Sequence, residues 1–260
     1  MNSALTRNGY PPIEFPGSDV PYAIVMGRVP LEGYQRAAGL EFGALGAQVD
    51  AHPLYQEALA AAVGRTIMDV NRLRNIFLLA SMGMSRLSSQ NVIEFGSYRG
   101  GSVLFIATVL KRLYPGAVVY GLDTFGGMPL TDKSLDLHSE GDFTDTSVGE
   151  IRKTVGELGL DNVVLVQGMV EDTFPSAIPA DMSFGMAHID LDIYHPIKYV
   201  QSAVWPRMSD GGYVVFDDAT VSTCLGATQA VEELVIEKNV RSEQVFPHFV
   251  FRANLRDSGN

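Results

Sequence analysis

The chain has 260 residues, of which 46% are apolar and 19% are charged, so it can bury one sizeable core without covalent staples. The formal net charge of −11 argues against a nucleic-acid groove or an anionic membrane surface as partner. One cysteine, Cys224, leaves no intramolecular disulfide and no zinc site built from cysteines, which fits a reducing, cytoplasmic compartment. Neither a signal peptide nor a run of about 18 apolar residues is present, so we expect no membrane span.

The negative charge is concentrated in two segments. Residues 121–150 carry seven acids and one base, and residues 161–192 carry six acids and no base, a net charge of −6 in each. A solvated surface would spread its charge more evenly. We therefore expect these two segments to converge on something positive.

The amino-terminal part divides into an irregular extension and a helical stretch. Residues 1–50 are rich in Gly and Pro, and we interpret residues 1–53 as an arm or lid and residues 54–260 as the main domain. Apolar residues between 54 and 87 recur at three- and four-residue steps, which predicts helices. The arginines of this stretch are assigned to its solvated face, with contact of one of them to a partner subunit as the alternative; they are Arg65, Arg72, Arg74 and Arg86.

From residue 90 onward, short apolar runs alternate with amphipathic helical stretches. The predicted strands lie within residues 91–95, 117–123, 163–167, 182–190, 211–218 and 244–251. The helical stretches between them are near residues 102–113, 147–158, 171–176, 195–206 and 226–237. Unbroken apolar runs are typical of strands buried on both faces. Their alternation with helices predicts an α/β fold with a doubly wound, mostly parallel sheet, whose ligands bind at the carboxyl ends of the strands.

The loop after the first strand contains glycines but lacks a dinucleotide fingerprint. Counted from Gly96, the second glycine of G-x-G-x-x-G would fall at Tyr98, which weakens the case for a NAD-dependent oxidoreductase. Glu94, at the strand end, suits a ligand with a cationic amine, and S-adenosylmethionine carries an ammonium and a sulfonium. The alternative is a glycine-rich turn capped by Ser102.

The second strand ends in an acid. Asp123 suits the ribose hydroxyls of an adenosine, a requirement that NAD and S-adenosylmethionine share. The alternative for Asp123 is a cap of the following turn. Phe125, just after it, fits either a stacking partner for adenine or a core residue.

Four acids follow the fourth and fifth strands. Asp190, Asp192, Asp217 and Asp218 would meet if these strands are neighbours, and such close carboxylates need a cation. Oxygen ligands favour Mg²⁺, Ca²⁺ or Mn²⁺ over zinc. Asp190 and Asp192 are two residues apart, so on extended backbone they point the same way, and one could bind metal while the other faces substrate. The alternative is a set of strand-end caps.

The remaining candidates for chemistry are weaker. His195 is a rival base or ligand, although a histidine at a helix start more often serves as a terminal residue of that helix. His138 and His188 rank below it, and Cys224 and Trp205 are assigned structural roles.

Five segments together resemble the macrocin O-methyltransferase family. They are residues 94–102, 123–129, 168–175, 190–194 and 211–218, and the resemblance covers roughly residues 65–252. It implies a class I methyltransferase fold, which is Rossmann-like with seven strands. It also implies an S-adenosylmethionine- and Mg²⁺-dependent enzyme that methylates sugar hydroxyls on bacterial natural products.

The resemblance also implies roles for individual residues. Asp190, Asp217 and Asp218 would bind the metal, and Asp192 would be the general base. The residues implied to bind the cofactor are Glu94, Gly96, Ser97, Tyr98, Gly100, Ser102, Asp123, Thr124, Phe125 and Asp172. Thr124 departs from the serine usual in the family, and an acid usual near Gly126 is missing, but neither change touches the implied metal site.

The resulting hypothesis is methyl transfer to a hydroxyl of a glycosylated natural product by a homo-oligomer, with residues 126–148 as a lid. Two other classes stay open. One is a metal-dependent hydroxylase or hydrolase on the same sheet. The other is a non-catalytic subunit for small-molecule binding or assembly.

Overall fold

The fold is given by a computed structural model that describes residues 42–221 and 223–255. Most of the predicted arm, residues 1–41, lies outside the described residues. Among the described residues, three helices precede the sheet: α1 (Ala44–Asp50), α2 (Pro53–Ala62) and α3 (Val70–Leu78). A π-helical turn and a 3₁₀ turn follow α3, at Leu79–Gly83 and Met84–Arg86.

Local capping explains why the helical stretch between residues 54 and 87 is divided. Helix α2 begins with Pro53 at its first position, after the cap residue His52. Asp69 caps α3, because its Oδ1 accepts the backbone N–H of Asn71 at 2.7 Å. Residues 63–69, here called the α2–α3 connection, therefore lie between two separate helices.

Seven strands form one sheet in the order β3-β2-β1-β4-β5-β7-β6. Their bounds are β1 Val92–Phe95, β2 Val119–Asp123, β3 Val163–Gln167, β4 Phe184–Ile189, β5 Met208–Phe216, β6 Ser242–Gln244 and β7 Phe249–Arg252. Strands β1 to β5 pair in parallel, and β7 is antiparallel to both β5 and β6. The doubly wound, mostly parallel seven-stranded sheet is confirmed. The run at 244–251 is not one strand, because residues 245–248, which contain Pro247, separate β6 from β7.

Helices cover both faces of this sheet. They are α4 Gly101–Leu113, α5 Val148–Glu157, α6 Val170–Ala177, α7 Tyr194–Val204 and α8 Leu225–Lys238. One hydrophobic core lies between the sheet and α2, α3 and α4, and a second lies between the sheet and α6, α7 and α8. Strands β1 and β4 are buried along their whole length, which explains why their sequences are mostly apolar, and the two ionisable residues within them, Glu94 and His188, contact each other. None of the helices in the described ranges has the length and apolar character needed to cross a bilayer.

The predicted solvated arginine face is wrong for two of its members. Arg72 donates from Nη1 to Asp217 Oδ2 at 2.5 Å, and Arg74 forms an ion pair with Asp50 of α1. Both arginine side chains are about 15% exposed or less. Helical periodicity places a residue on a face, but it does not show that another part of the chain covers that face.

Candidate functional site

A cleft of about 310 Å³ lies at the carboxyl ends of the central strands. The strand order reverses between β1 and β4, which is where open α/β sheets bind ligands. The predicted site residues that line the cleft are Gly96, Ser97, Tyr98, Ser102, Asp123, Thr124, Asp190, Asp192, Asp217 and Asp218. The two acid-rich segments therefore contribute to one cavity.

Asp123 organises the loop between β1 and α4. Its Oδ2 accepts the backbone N–H groups of Ser97 and Tyr98, both at 2.8 Å, and its Oδ1 accepts that of Phe125 at 2.6 Å. Tyr98 has a φ of +45°, an unusual value for a bulky residue that these contacts help to hold. Asp123 thus shapes the loop, and its contact with a ribose stays a prediction.

Four of the predicted cofactor residues do not line the cleft. Glu94 is fully buried and faces His188 across β1 and β4, where the two side chains meet at 2.9 Å, and its contact with a cofactor stays a prediction. Phe125 is 7% exposed, but it belongs to neither of the two hydrophobic cores, so the choice between a core residue and a stacking partner for adenine stays open. Gly100 lies against Ile151 and Asp172 lies on α6, so the roles implied for them stay predictions.

Three carboxylates meet at one end of the cleft. Asp190, Asp217 and Asp218 each offer an oxygen, and these atoms lie within 4.8 Å of one another. Burial, followed by the charge of Asp217, raises the pKa of Asp190 well above its ordinary value and that of Asp218 to about 6. Each shift reflects a carboxylate that is costly to ionise without a neighbouring cation. An all-oxygen donor set under mutual repulsion fits a hard divalent cation.

Asp217 differs from the other two carboxylates because cationic and imidazole groups already surround it. His248 Nε2 lies 2.9 Å and His188 Nε2 lies 3.5 Å from its Oδ1, while Arg72 occupies Oδ2. Burial alone would raise the pKa of Asp217, but these three contacts hold it well below its usual range. Asp217 is therefore a fixed anion with little free ligand capacity, whereas Asp190 and Asp218 have no comparable cationic partner among the residues that the structure describes.

Asp192 lies beside this cluster in a left-handed conformation. Its φ is +60°, so the extended backbone expected between Asp190 and Asp192 is wrong: β4 has already ended at Ile189. The backbone N–H of Asp192 donates to Asp218 Oδ2 at 2.8 Å. Burial and the charge of Asp218 raise the pKa of Asp192 well above its ordinary value. The geometry places a carboxylate with high proton affinity directly beside the three others.

The β2–α5 loop, residues 124–147, forms the opposite wall of the cleft. Gly127, Met128, Pro129, His138 and Phe143 of this loop line the cavity. The buried Asp136 accepts the backbone N–H of Tyr194 at 2.8 Å, which attaches the middle of the loop to the start of α7. The loop lies where a lid over the acceptor was expected, and its movement stays a prediction.

The α2–α3 connection supplies wall residues that sequence reasoning missed. Arg65, Thr66, Ile67 and Met68 line the cleft. The connection packs directly on Gly101, where an added Cβ would lie 2.6 Å from Thr66 Cβ. Within the part of the chain that the structure describes, the Arg65 side chain makes no hydrogen bond or ion pair. The position of the α2–α3 connection between two helices is the one sequence signal that could have predicted its contribution to the cleft wall.

The chain is similar to curated sugar-modifying methyltransferases. It is 27% identical to 8-demethyl-8-(2,3-dimethoxy-alpha-L-rhamnosyl)-tetracenomycin-C 4'-O-methyltransferase of Streptomyces olivaceus over 176 residues, 64% of this chain and 67% of the relative. It is also 27% identical to mycinamicin III 3''-O-methyltransferase of Micromonospora griseorubida over 174 residues, 62% of this chain and 68% of the relative.

Two solved structures share its fold. The O-methyltransferase NovP has a TM-score of 0.64 and 22% identity, with 82% of this chain and 95% of that chain covered. The calicheamicin methyltransferase CalS11 has a TM-score of 0.61 and 20% identity, with 92% and 99% covered. The class I methyltransferase fold implied by the resemblance is confirmed.

The sequence pattern of one protein family spans most of the domain. The family described as Macrocin-O-methyltransferase (TylF) matches residues 49–244, which include every residue that lines the cleft. The match covers well over half of the 260 residues. The chain therefore belongs to the Macrocin-O-methyltransferase (TylF) family.

Proposed function

We propose that the chain transfers a methyl group from S-adenosylmethionine to a sugar hydroxyl of a glycosylated bacterial natural product, assisted by a divalent cation. The observation that carries the proposal is the position of Asp192, which lines the cleft and donates its backbone N–H to Asp218 of the carboxylate cluster. The names of the two curated relatives, which refer to a rhamnosyl-tetracenomycin and to mycinamicin III, support the acceptor class.

The cleft fits the charges of S-adenosylmethionine. Bound there, this cofactor supplies an electrophilic methyl group on a positively charged sulfur. Its ammonium and sulfonium suit an acidic cavity, and the loop fixed by Asp123 would hold the adenosine. Its carboxylate needs a cation, and Arg72 is already paired with Asp217. Arg65, on the wall at Gly101, is the arginine we assign to that carboxylate.

Replacing Arg65 by alanine is expected to weaken binding of S-adenosylhomocysteine about tenfold or more, the usual value of a charge-assisted hydrogen bond. Binding of its decarboxylated analogue, S-adenosyl-3-thiopropylamine, should not change. Calorimetry with both ligands measures the difference, and Arg86→Ala is the control because Arg86 is exposed and does not line the cleft. Equal weakening of both ligands would contradict the assignment.

The divalent cation would be held by Asp190 and Asp218. Asp217 would contribute at most a remaining lone pair, because Arg72 contacts its Oδ2 and two imidazoles contact its Oδ1. When bound, such a cation supplies positive charge that lowers the pKa of a nearby hydroxyl. An alcohol with a pKa of ~16 is otherwise out of reach of a carboxylate base. Asp192 would then accept the hydroxyl proton at its carboxylate while the cleft walls exclude water.

The proposal is tested by incubation with labelled S-adenosylmethionine, Mg²⁺ and a panel of glycosylated natural products, with detection of the product that gains a methyl. Chelation by EDTA should abolish transfer, and added Mg²⁺ should restore it. A hydroxylase or hydrolase predicts no heat of binding for S-adenosylhomocysteine. A non-catalytic subunit predicts ligand binding that EDTA does not affect and no transfer to any acceptor. Homo-oligomerisation stays a prediction, which light scattering of the full chain tests.

A further inference from the structure

A second cluster of possible metal ligands lies beside the carboxylates and differs from them in chemistry. It consists of His138, Asp192 and Cys224, which come from the β2–α5 loop, the segment after β4 and the segment before α8. Cys224 Sγ lies 3.4 Å from Asp192 Oδ1 and 3.6 Å from His138 Nε2, and the nitrogen and the oxygen are 3.7 Å apart. All three residues line the cleft.

These three distances match one tetrahedral cation. Zinc binds sulfur at about 2.3 Å and nitrogen or oxygen at about 2.0–2.2 Å, so two ligand atoms of a tetrahedral site stand roughly 3.3–3.6 Å apart. One ion could therefore reach Sγ, Nε2 and Oδ1 with shifts of only a few tenths of an ångström. The fourth position of such an ion would face the cleft.

The surroundings of His138 fit the role of a ligand. Its other ring nitrogen, Nδ1, lies 3.3 Å from Asp142 Oδ2. In the tautomer whose Nδ1–H donates to Asp142, the Nε2 lone pair faces Cys224 and Asp192. A carboxylate behind the imidazole is the usual arrangement around metal-binding histidines.

The surroundings of Cys224 determine the protonation of its thiol, which a bound cation would change. Burial, followed by the charges of Asp218 and Asp192, raises the pKa of the Cys224 thiol, so without a cation the thiol stays protonated and donates to Asp192. A zinc-type cation binds the thiolate and releases that proton to solvent. The sulfur then becomes a ligand instead of a donor.

We propose that His138, Asp192 and Cys224 form a site for a zinc-type divalent cation, distinct from the all-oxygen cluster of Asp190, Asp217 and Asp218. The sequence excludes a zinc site made of cysteines alone, but it does not exclude one sulfur joined by a nitrogen and an oxygen. The cation would bind Oδ1 of Asp192, the proposed base, and so block it from taking a proton. On the proposed function, the enzyme is therefore inhibited by zinc-type cations even when Mg²⁺ is saturating.

The binding site is tested with cobalt, because a thiolate bound to Co²⁺ gives a near-ultraviolet charge-transfer band. Cys224 is the single cysteine, so the band of the full chain in excess Mg²⁺ reports this sulfur alone. The band should saturate at one equivalent and be absent in both Cys224→Ser and Cys224→Ala. His138→Ala and Asp192→Asn should each weaken binding about tenfold or more, and Asp142→Asn should weaken it about 10–100-fold. The exposed His195 provides the control variant, His195→Ala.

Absence of a band in the correctly folded, reduced wild-type chain would overturn the site. A band of unchanged affinity in His138→Ala and Asp192→Asn would also overturn it, because the thiol would then act alone. Neither measurement needs S-adenosylmethionine, so both remain decisive if the proposed methyl transfer fails. Zn²⁺ inhibition of the Mg²⁺-saturated enzyme that is roughly tenfold weaker in Cys224→Ser would link the site to catalysis.

Discussion

Replacement of Asp192 by asparagine is expected to lower kcat by about 10²–10⁴-fold, the usual contribution of a general base. Asparagine keeps the size of the side chain and tolerates the left-handed backbone at a φ of +60°. The hydrogen bond to Asp218 Oδ2 is donated by the backbone N–H of residue 192, so the substitution does not remove it. The variant loses the ability to take the proton from the hydroxyl group that is methylated. The binding constant for S-adenosylhomocysteine should therefore stay within about twofold of the wild-type value.

The measurement is kcat with a methylated-product assay at saturating cofactor and Mg²⁺, alongside calorimetry. Asp181→Asn provides the control, since Asp181 is exposed and does not line the cleft. A kcat equal to that of the control would remove Asp192 from the role of base. Loss of cofactor affinity together with kcat would instead indicate that Asp192 shapes the binding site.

Replacement of His188 by leucine is expected to lower the free energy of unfolding by about 3–5 kcal/mol, the cost of leaving buried charges without a partner. His188 is fully buried, with Nδ1 2.9 Å from Glu94 and Nε2 3.5 Å from Asp217. Burial by itself would lower its pKa, but the hydrogen bonds and charges of these two carboxyl groups raise it to about 9, so the ring is a buried cation between them. Leucine would leave both carboxylates without that charge.

Urea denaturation measures this loss, and His195→Leu is the control because the His195 side chain is 66% exposed. The double variant Glu94→Gln with His188→Gln should lose less than the sum of its two single variants, because their contact is a coupled pair. A midpoint for His188→Leu equal to that of His195→Leu would show that the buried cation is not needed for stability.

The sheet and the acidic end of the cleft could be predicted because both depend on local sequence. Strands β1, β2 and β4 have mostly apolar sequences, and the residues at or just after the carboxyl end of a parallel strand must lie at that edge of the sheet. The site acids Asp123, Asp190 and Asp218 follow from that rule.

The basic and imidazole partners could not be predicted, because they depend on contacts between distant segments. Arg72 is 145 residues from Asp217, and His248 is 31 residues from it on the far side of α8. Periodicity assigned Arg72 to a helix face without showing what covers it. His138 and Cys224 are 86 residues apart, and nothing local marks either as a neighbour of Asp192.

We expect the anchoring of the β2–α5 loop to separate the proposed chemistry from the choice of acceptor. Asp136 ties the loop to α7, and Asp145 contacts Tyr98 and Arg99 near its other end. The acids proposed for metal binding and proton transfer come from different segments of the chain, after β4 and β5. Residues 126–135 can therefore be exchanged in evolution or in the laboratory without altering those acids. One set of site acids could in this way act on different natural products, each recognised by a different sequence at residues 126–135.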